Sequence, residues 1–418
     1  MIEIAPFIQS LDAIAVTGGT RSQVLVDASF DPLGPAIMWD DSRAFEEAAH
    51  LASEFDYQGN PINVFHPLAR FKWLVDHHPQ EVAAAAAILQ PKDFLVCRLT
   101  GRCVSDHQSN WMILDQSGLL LTKAVQATGL PLEMLPERVE AHDVVGCVIA
   151  HDNLPEAMIG VPVVCGSMDA WCSAVGLGAS RRDTAYSLSG TSEVLGIVVE
   201  QYRHVDGLLS LPWGSGLWHI GGPSQCGGKT LAWAKGVLGL GDDSLDTLGG
   251  GVNTVEHAPI FLPYLDGERT PLWNPKLTGG WYQLDASHDR LSLLYAVVEG
   301  VAFNARSIFD AARGTASVPS EIVIGGGLSR SDAWCQIRAD ALDIPVIRTS
   351  ADEPGLTGAF MLASVGLGWH GNLTEAGLDI APEANRFVPN EASRHVMYDR
   401  YCRFGSCVEM AVAACATE

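Results

Sequence analysis

The feature that most constrains the fold is an alternation of strands and helices in the second half of the chain. The run EIVIGGG predicts a strand and DAWCQIRADALD a helix, and PVIRT and LTGAFMLASVGLG repeat that order. Helical crossovers of this kind connect parallel strands. The pattern therefore predicts an α/β layer of the type that binds nucleotides.

Two further segments indicate a domain boundary and, after it, a second sheet that is separate from the sheet of the first half of the chain. TAYSLSGTSEVLGIVV contains two β-rich runs separated by the turn residues Ser189 to Ser192. Upstream, VPVVCG predicts a buried strand, and the small-residue helix AWCSAVGLGA follows it. A chain of 418 residues is too long for one hydrophobic core. We predict domains at residues 1–180 and 181–370, and a closing helix and tail at 371–418.

The charge and composition exclude several classes of partner. The formal net charge is -23, and no basic patch offsets it, so we expect neither nucleic acid nor a membrane surface as partner. No basic, apolar leader is recognisable at the N-terminus, which predicts a cytoplasmic protein. The ten cysteines lack a CxxC spacing, which favours buried free thiols over disulfides or a zinc site. We predict no metal-ligating residues.

A glycine-rich turn separates the two β-rich runs of the second sheet. In SLSGTSE, the backbone and hydroxyl groups of Gly190, Thr191 and Ser192 could hold phosphate oxygens. A plain hairpin turn explains the same residues equally well.

Two more glycine-rich turns precede helices. In VIGGGLSRSDAW, Gly325 to Gly327 would admit a ligand against the backbone, with Ser331 or Asp332 as the helix cap. A tight strand-to-helix connection is the alternative. In GGPSQCGGKTLAW, Gly227 and Gly228 precede a helix, and close helix packing competes with phosphate binding.

Asp169 follows the predicted strand VPVVCG closely and stands at the start of a helix. An aspartate at this position is a good helix N-cap. A carboxylate at the carboxyl end of a buried strand can instead face a ligand and accept a proton from a hydroxyl group during phosphoryl transfer. The residue alone does not decide between these roles.

The order of the motifs resembles that of the FGGY carbohydrate kinases. The resemblance runs from Ile14 to Gly368 and rests on PAIMWDDSRA, LQPKDFLVCRLTGRCVSD, GSMDAWCSAVGLGA, SLSGTSE, LDGERTPLWNPKLTGGW, AVVEGVAFNARSI and IGGGLSRSDAWCQIRADALDIPV. It implies an α/β fold with two actin-like, RNase H-like ATPase domains around a cleft. It also implies ATP with Mg²⁺, a small-molecule sugar as acceptor, and a homodimer.

The resemblance also implies roles for individual residues. Asp169 matches the catalytic base of the family and lies against the sugar, and Thr20 and Arg21 match sugar-contacting positions. The positions that match the nucleotide-contacting residues of the family are Gly190, Thr191, Gly228, Gly326, Gly327 and Ser331. These assignments predict phosphorylation of a pentulose such as xylulose, or of a related ketose or polyol.

Departures from the family pattern lead to two further expectations. Xylulose kinases usually read Gln-Met-His-Gly where this chain has Gly19 to Ser22, and Arg21 suits an acceptor that carries a carboxylate or several hydroxyls. Ala170 stands where Asn or Gln is common. Near Met1 the chain lacks the Asp-x-Gly-Thr phosphate loop of the family. We therefore expect a truncated first domain, and the alternative function is a non-catalytic or weakly active sugar- and nucleotide-binding relative.

Overall fold

The computed structural model describes residues 10–55, 62–115, 117–151, 154–248, 257–313, 319–380 and 384–415. The strands are β1 Ile14–Gly18, β2 Val24–Val26, β3 Ala87–Leu89, β4 Val104–Asp106, β5 Glu137–Val139, β6 Val144–Cys147, β7 Pro162–Met168, β8 Ala185–Ser189, β9 Glu193–Val199, β10 Leu209–Gly214, β11 Leu217–Ser224, β12 Ile260–Leu262, β13 Gly280–Tyr282, β14 Ile322–Gly325, β15 Val346–Thr349 and β16 Ala384–Phe387.

The helices complete the set of elements. They are α1 Phe45–Glu54, α2 Pro67–His77, α3 Pro79–Ala84, α4 Pro91–Thr100, α5 Thr122–Ala127, α6 Asp169–Gly176, α7 Gly228–Leu238, α8 Arg290–Arg313, α9 Asp332–Leu342, α10 Pro354–Gly366, α11 Leu373–Asp379 and α12 Arg394–Cys415.

Contacts divide the chain into two units, and each is assembled from separate segments. Unit 1 comprises Met1–Gly176, Leu211–Gly216 and Pro354–Ile380, and unit 2 comprises Leu177–Ser210, Leu217–Glu353 and Ala381–Glu418. Helix α10 therefore belongs to unit 1, although it follows β15 of unit 2 in the chain.

In unit 1, a three-stranded sheet of order β1-β7-β6 positions the residues of interest. Strands β1 and β7 are parallel, and Gly18 is paired with Met168. The two strands therefore end at the same edge of the sheet. Helices α6 and α10 pack closely, since a side chain at Gly358 would place its Cβ 2.0 Å from the carbonyl oxygen of Cys172.

In unit 2, the large sheet contains six strands in the order β11-β9-β8-β14-β15-β16. Strands β8 and β9 form the predicted antiparallel hairpin. Strand β14 pairs in parallel with both β8 and β15, and α9 connects β14 to β15. The predicted strand-helix-strand order from residue 321 onward is thus confirmed.

The long helix α8 lies in the core of unit 2. It is the one helix among the described residues that is long and apolar enough to cross a membrane, and 78% of its most apolar window is buried inside the protein. Packing against the sheet accounts for its hydrophobic character. The final helix α12 is held to α8 by a buried ion pair between Arg400 and Glu299, whose Nη2 and Oε2 atoms are 2.5 Å apart.

Candidate active site

Asp169 lies where the sequence predicts it, directly after β7 and at the first position of α6. Its side chain is exposed, and its Oδ1 accepts a hydrogen bond of 2.7 Å from the amide of Ala170. Because Met168 pairs with Gly18, the segment after β1 that contains Thr20 begins beside the one that contains Asp169. The carboxylate can therefore meet a ligand at this sheet edge.

Strand β7 contains a β-bulge shortly before Asp169. The pairing with β1 shifts register between Ala15 and Thr17. At the bulge, Gly166 has a φ of 71°, and a Cβ there would lie 1.6 Å from the carbonyl oxygen of Val16. A residue with a side chain would collide with the backbone of β1, so this local geometry requires glycine.

Gln90 connects the two predicted sugar-contacting residues. Its Oε1 accepts hydrogen bonds from the Thr20 hydroxyl, at 3.0 Å, and from the Arg21 amide, at 2.8 Å. Its Nε2 donates to the carbonyl oxygen of Ser109 at 2.9 Å. Arg21 has a φ of 59°, and its guanidinium lies 5.6 Å from the ring centroid of Trp39. Gln90 was not among the predicted site residues, although it lies in the quoted motif LQPKDFLVCRLTGRCVSD, directly before the helix-starting Pro91.

A buried charge cluster lies behind this sheet edge. The Lys92 ammonium is 2.6 Å from Oδ1 of Asp93 and 2.9 Å from Oδ1 of Asp106. Although burial opposes it, the pKa of Lys92 is well above its usual value because Asp106 and Asp93 surround the ammonium. Burial raises the pKa of Asp93. Asp106 also accepts a hydrogen bond of 2.5 Å from the hydroxyl of Ser167, two residues before Asp169, so the cluster is connected to the end of β7.

In unit 2, the β8–β9 hairpin and the N-terminus of α7 form one hydrogen-bonded group. The amide of Gly228 donates to the carbonyl of Gly190 at 2.8 Å, and the amide of Lys229 donates to the carbonyl of Thr191 at 3.0 Å. A Cβ at Gly228 would lie 2.7 Å from the Gly190 oxygen, so close packing requires glycine there. Gly190 and Thr191 are exposed and open to a ligand. Lys229 is exposed and pairs with Asp266 at 2.7 Å.

The turn after β14 lies beside the same hairpin. Gly326 has a φ of 95°, and a Cβ there would lie 2.4 Å from the carbonyl oxygen of Ser189. At Gly327 a Cβ would meet no atom within 4 Å, so the backbone borders open space. Ser331 caps α9, because its Oγ accepts from the Trp334 amide at 3.3 Å. The structure thus gathers the hairpin, Gly228 and Gly326 in unit 2.

A buried ion pair stabilises the β8–β9 hairpin. Oε1 of Glu193 lies 2.7 Å from Nη2 of Arg338, and both side chains are almost fully buried. The same carboxylate accepts hydrogen bonds from the hydroxyls of Ser187, at 2.8 Å, and of Ser189. The available sequence signal was a glutamate at the start of an otherwise apolar strand.

Glu268 organises the turn that leads into α7. Its Oε1 accepts a hydrogen bond from the Gln225 amide at 2.7 Å, and its Oε2 accepts from the Ser224 hydroxyl at 2.8 Å. Asn304 of α8 donates to the same carboxylate at 2.7 Å. Two of the quoted motifs, LDGERTP and AVVEGVAFNARSI, thus meet at one carboxylate.

The chain is similar to known proteins both in sequence and in structure. Residues 7–176 match the N-terminal domain, and residues 185–367 the C-terminal domain, of the FGGY family of carbohydrate kinases. A xylulose kinase from Klebsiella pneumoniae is 30% identical, with 86% of this chain and 76% of the relative covered. A gluconokinase from Bacillus licheniformis is 27% identical, with 91% and 79% covered. The crystal structure of a xyloylose kinase from Brucella ovis matches with a TM-score of 0.90 at 26% identity, covering 99% of this chain and 88% of that one.

Proposed function

The chain belongs to the FGGY family of carbohydrate kinases, and on that premise we propose that it phosphorylates a hydroxyl group of a pentulose with Asp169 as general base. The same matches confirm the two-domain, actin-like α/β fold, and they make the protein a sugar kinase that uses ATP. They do not favour the non-catalytic alternative, because the relatives are named as kinases.

The exposed carboxylate of Asp169 at the end of β7 is the observation that carries the proposal. In the proposed step the carboxylate takes the proton of the sugar hydroxyl while the hydroxyl oxygen forms a bond to the γ-phosphorus of ATP. The bond between that phosphorus and the β,γ-bridging oxygen breaks, which releases ADP. The proton ends on Asp169 and the phosphoryl group on the sugar.

We assign the nucleotide to the glycine-rich group of unit 2. Exposed backbone at Thr191, Gly326 and Gly327 can donate to phosphate oxygens. The amide of Gly190 donates to the Ser192 carbonyl at 2.9 Å, so Gly190 contributes by shaping the turn. Gly228 would contribute by holding the hairpin in place, and Ser331 by starting α9 beside the nucleotide.

Mg²⁺ would enter with ATP and neutralise phosphate charge. The described residues contain no cluster of three or more histidine, cysteine or acidic side chains suited to a metal ion. Proteins usually hold Mg²⁺ through one or two carboxylates together with substrate phosphates, which does not require such a cluster.

Two classes of acceptor are candidates for the sheet edge of unit 1 that carries Asp169, Thr20 and Arg21. Relatives named xylulose kinase support a pentulose such as xylulose or a related ketose or polyol. A sugar acid is the second candidate, because the Arg21 guanidinium can bind a carboxylate and a relative is named gluconokinase.

The test begins with an ADP-release assay on a panel of pentuloses, polyols and aldonic acids with ATP and Mg²⁺. For the best acceptor, Asp169→Asn is expected to lower kcat by at least about 10²-fold, the lower end of the range for a general base, with sugar binding largely kept. Asp206→Asn, at a fully exposed carboxylate, is the matched control. Turnover by Asp169→Asn at the parent rate would rule out the role of the base.

The acceptor panel also separates the two acceptor classes. A pentulose as best substrate supports the first class. A preference for aldonic acids that disappears in Arg21→Gln supports the second.

Two accompanying proposals concern the state of the protein. We propose a cytoplasmic location, since the proposed reaction consumes ATP, and a homodimer, from the family resemblance. Cell fractionation and light scattering after size-exclusion chromatography test them.

A further inference from the structure

Arg70 was not among the predicted site residues, yet its side chain contacts the loop that contains Arg21, a predicted sugar-contacting residue. Arg70 lies on α2 and is fully buried. Its guanidinium donates hydrogen bonds to the backbone carbonyls of Arg21, of Trp39 at 2.6 Å and of Asp41 at 3.2 Å. One side chain therefore connects the segment after β1 with the segment that contains Trp39.

The contact holds Arg21 in an unusual backbone conformation. A φ of 59° is in the left-handed region, which side chains other than those of glycine, asparagine and aspartate seldom adopt. The Arg21 carbonyl accepts from Arg70 and from Nε2 of Gln23, at 3.0 Å, while its amide donates to Gln90. Hydrogen bonds on both sides of the residue fix this conformation.

Arg70 also holds the backbone of Trp39, the residue whose ring the Arg21 side chain contacts. The Arg21 guanidinium lies over the Trp39 ring, and Arg70 holds the backbone carbonyls of both residues. Because both backbones are anchored to one group, the stacked pair is held in a single arrangement.

Arg70 is charged at neutral pH despite its burial. Burial, with a contribution from the nearby Arg21, lowers its pKa only to about 10. The guanidinium is planar and presents several donors in a fixed fork, so it can reach three carbonyls at once. A lysine ammonium is a single point of charge and would not hold the three carbonyls of these two segments in the same way.

We propose that Arg70 is a positioning residue that sets the affinity for the acceptor by holding Arg21 and Trp39 in one arrangement. The inference rests on the proposed function, because it requires Arg21 to contact the sugar. Arg70 itself touches the backbone of the loops and acts on the sugar through Arg21.

The experiment compares steady-state kinetics of Arg70→Lys with the parent enzyme, using the best acceptor of the panel. Loss of charged hydrogen bonds predicts a rise of about tenfold or more in the sugar KM. The KM for ATP should stay within about twofold, because unit 2 carries the nucleotide residues. In the Arg21→Ala background, Arg70→Lys should add much less to the sugar KM than it does alone, since coupled residues are not additive.

Arg400→Lys is the matched control. Arg400 is also fully buried and donates to two backbone carbonyls, those of Ala258 at 2.7 Å and Pro259 at 3.0 Å, but it lies in unit 2. This variant should lower the unfolding temperature and leave the sugar KM unchanged.

The outcomes separate this inference from the proposed function. A parent enzyme that turns over no acceptor would contradict the proposed function itself. An active parent with the same sugar KM in Arg70→Lys would overturn the role of Arg70, as would equal rises in the KM for sugar and for ATP. If Arg70→Lys does not fold, Gln23→Leu removes the other side-chain donor to the Arg21 carbonyl. That variant should raise the sugar KM about threefold, and an unchanged value would overturn the inference.

Discussion

At the scale of single residues, two buried histidines make the stability of the protein depend on pH. Burial lowers the pKa of His66 in unit 1 and of His219 in unit 2 to about 3. In the unfolded chain a histidine titrates near pH 6.5. Between these values the unfolded state binds more protons, so stability is complete above about pH 6.5 and falls as the pH decreases toward 3.

His66→Asn tests this dependence. Nδ1 of His66 accepts the capping hydrogen bond from the Leu68 amide at 3.2 Å, and asparagine can serve as an N-cap instead. Each such histidine costs up to about 1.4 kcal/mol of stability per pH unit below 6.5. We expect the unfolding temperature of the variant to fall less steeply between pH 6.5 and 4.5. His395→Asn, at an exposed histidine, should follow the parent, and parallel curves for all three proteins would contradict the prediction.

The positions of some candidate residues could be predicted because the neighbouring sequence marks them. Asp169 follows an apolar strand directly, and Gly326 lies in a glycine run at a strand end, so both positions could be predicted. The Glu193–Arg338 pair and the contact of Arg70 with Arg21 join residues that are far apart in the chain. Their partners are determined by tertiary packing, which neither periodicity nor spacing reveals.

At the scale of elements, glycines bring α6 and α10 together in unit 1. A Cβ at Gly358 would lie 2.0 Å from the Cys172 carbonyl oxygen, and one at Gly176 would lie 1.9 Å from the Pro354 carbonyl oxygen. Both obstacles are backbone atoms that a side-chain rotation cannot move. The close approach of the two helices therefore depends on these glycines.

Gly358→Ala is expected to destabilise unit 1 although alanine is the better helix former. The overlap with the backbone should cost about 1 to 3 kcal/mol or more, which exceeds the gain in helix propensity. Gly236→Ala is the control, since a Cβ in α7 at that position meets no atom within 4 Å. Urea denaturation should show a gain of about 0.5 to 1 kcal/mol for the control. A Gly358→Ala protein as stable as the parent would refute the packing argument.

Elements with strong local patterns were predicted from the sequence alone. The β8–β9 hairpin has turn residues between two β-rich runs, and β14, α9 and β15 follow one another with clear changes of pattern. The bulge at Gly166 and the packing of α10 on α6 were not predicted. Both depend on which backbone lies opposite, and that information is not in the neighbouring sequence.

At the scale of the whole molecule, the connectivity of the two units limits how the chain can be divided. Unit 1 needs Pro354–Ile380, which is distant in sequence from Met1–Gly176. Each unit therefore completes its folding only after most of the chain has been synthesised.

A fragment of residues 1–180 should consequently fail to fold cooperatively, because α6 lacks α10. Fusing residues 1–176 to 354–380 through a short glycine-serine linker should make unfolding more cooperative than in the fragment, since Gly176 and Pro354 are in contact and only Leu211–Gly216 of unit 1 is then missing. Circular dichroism during thermal unfolding measures both proteins. A sharp transition for the shorter fragment would show that α10 is dispensable.

The bulge glycine has a consequence for anyone who recombines or redesigns members of this family. Gly166 is constrained by the backbone opposite it, whereas Gly327 borders open space and Gly190 has no atom closer than 3.6 Å to the position of a Cβ. A natural or designed variant with another residue at 166 has rebuilt its first sheet. A variant with another residue at position 190 or 327 can keep the same fold. Its change alters the surface that we propose contacts the nucleotide.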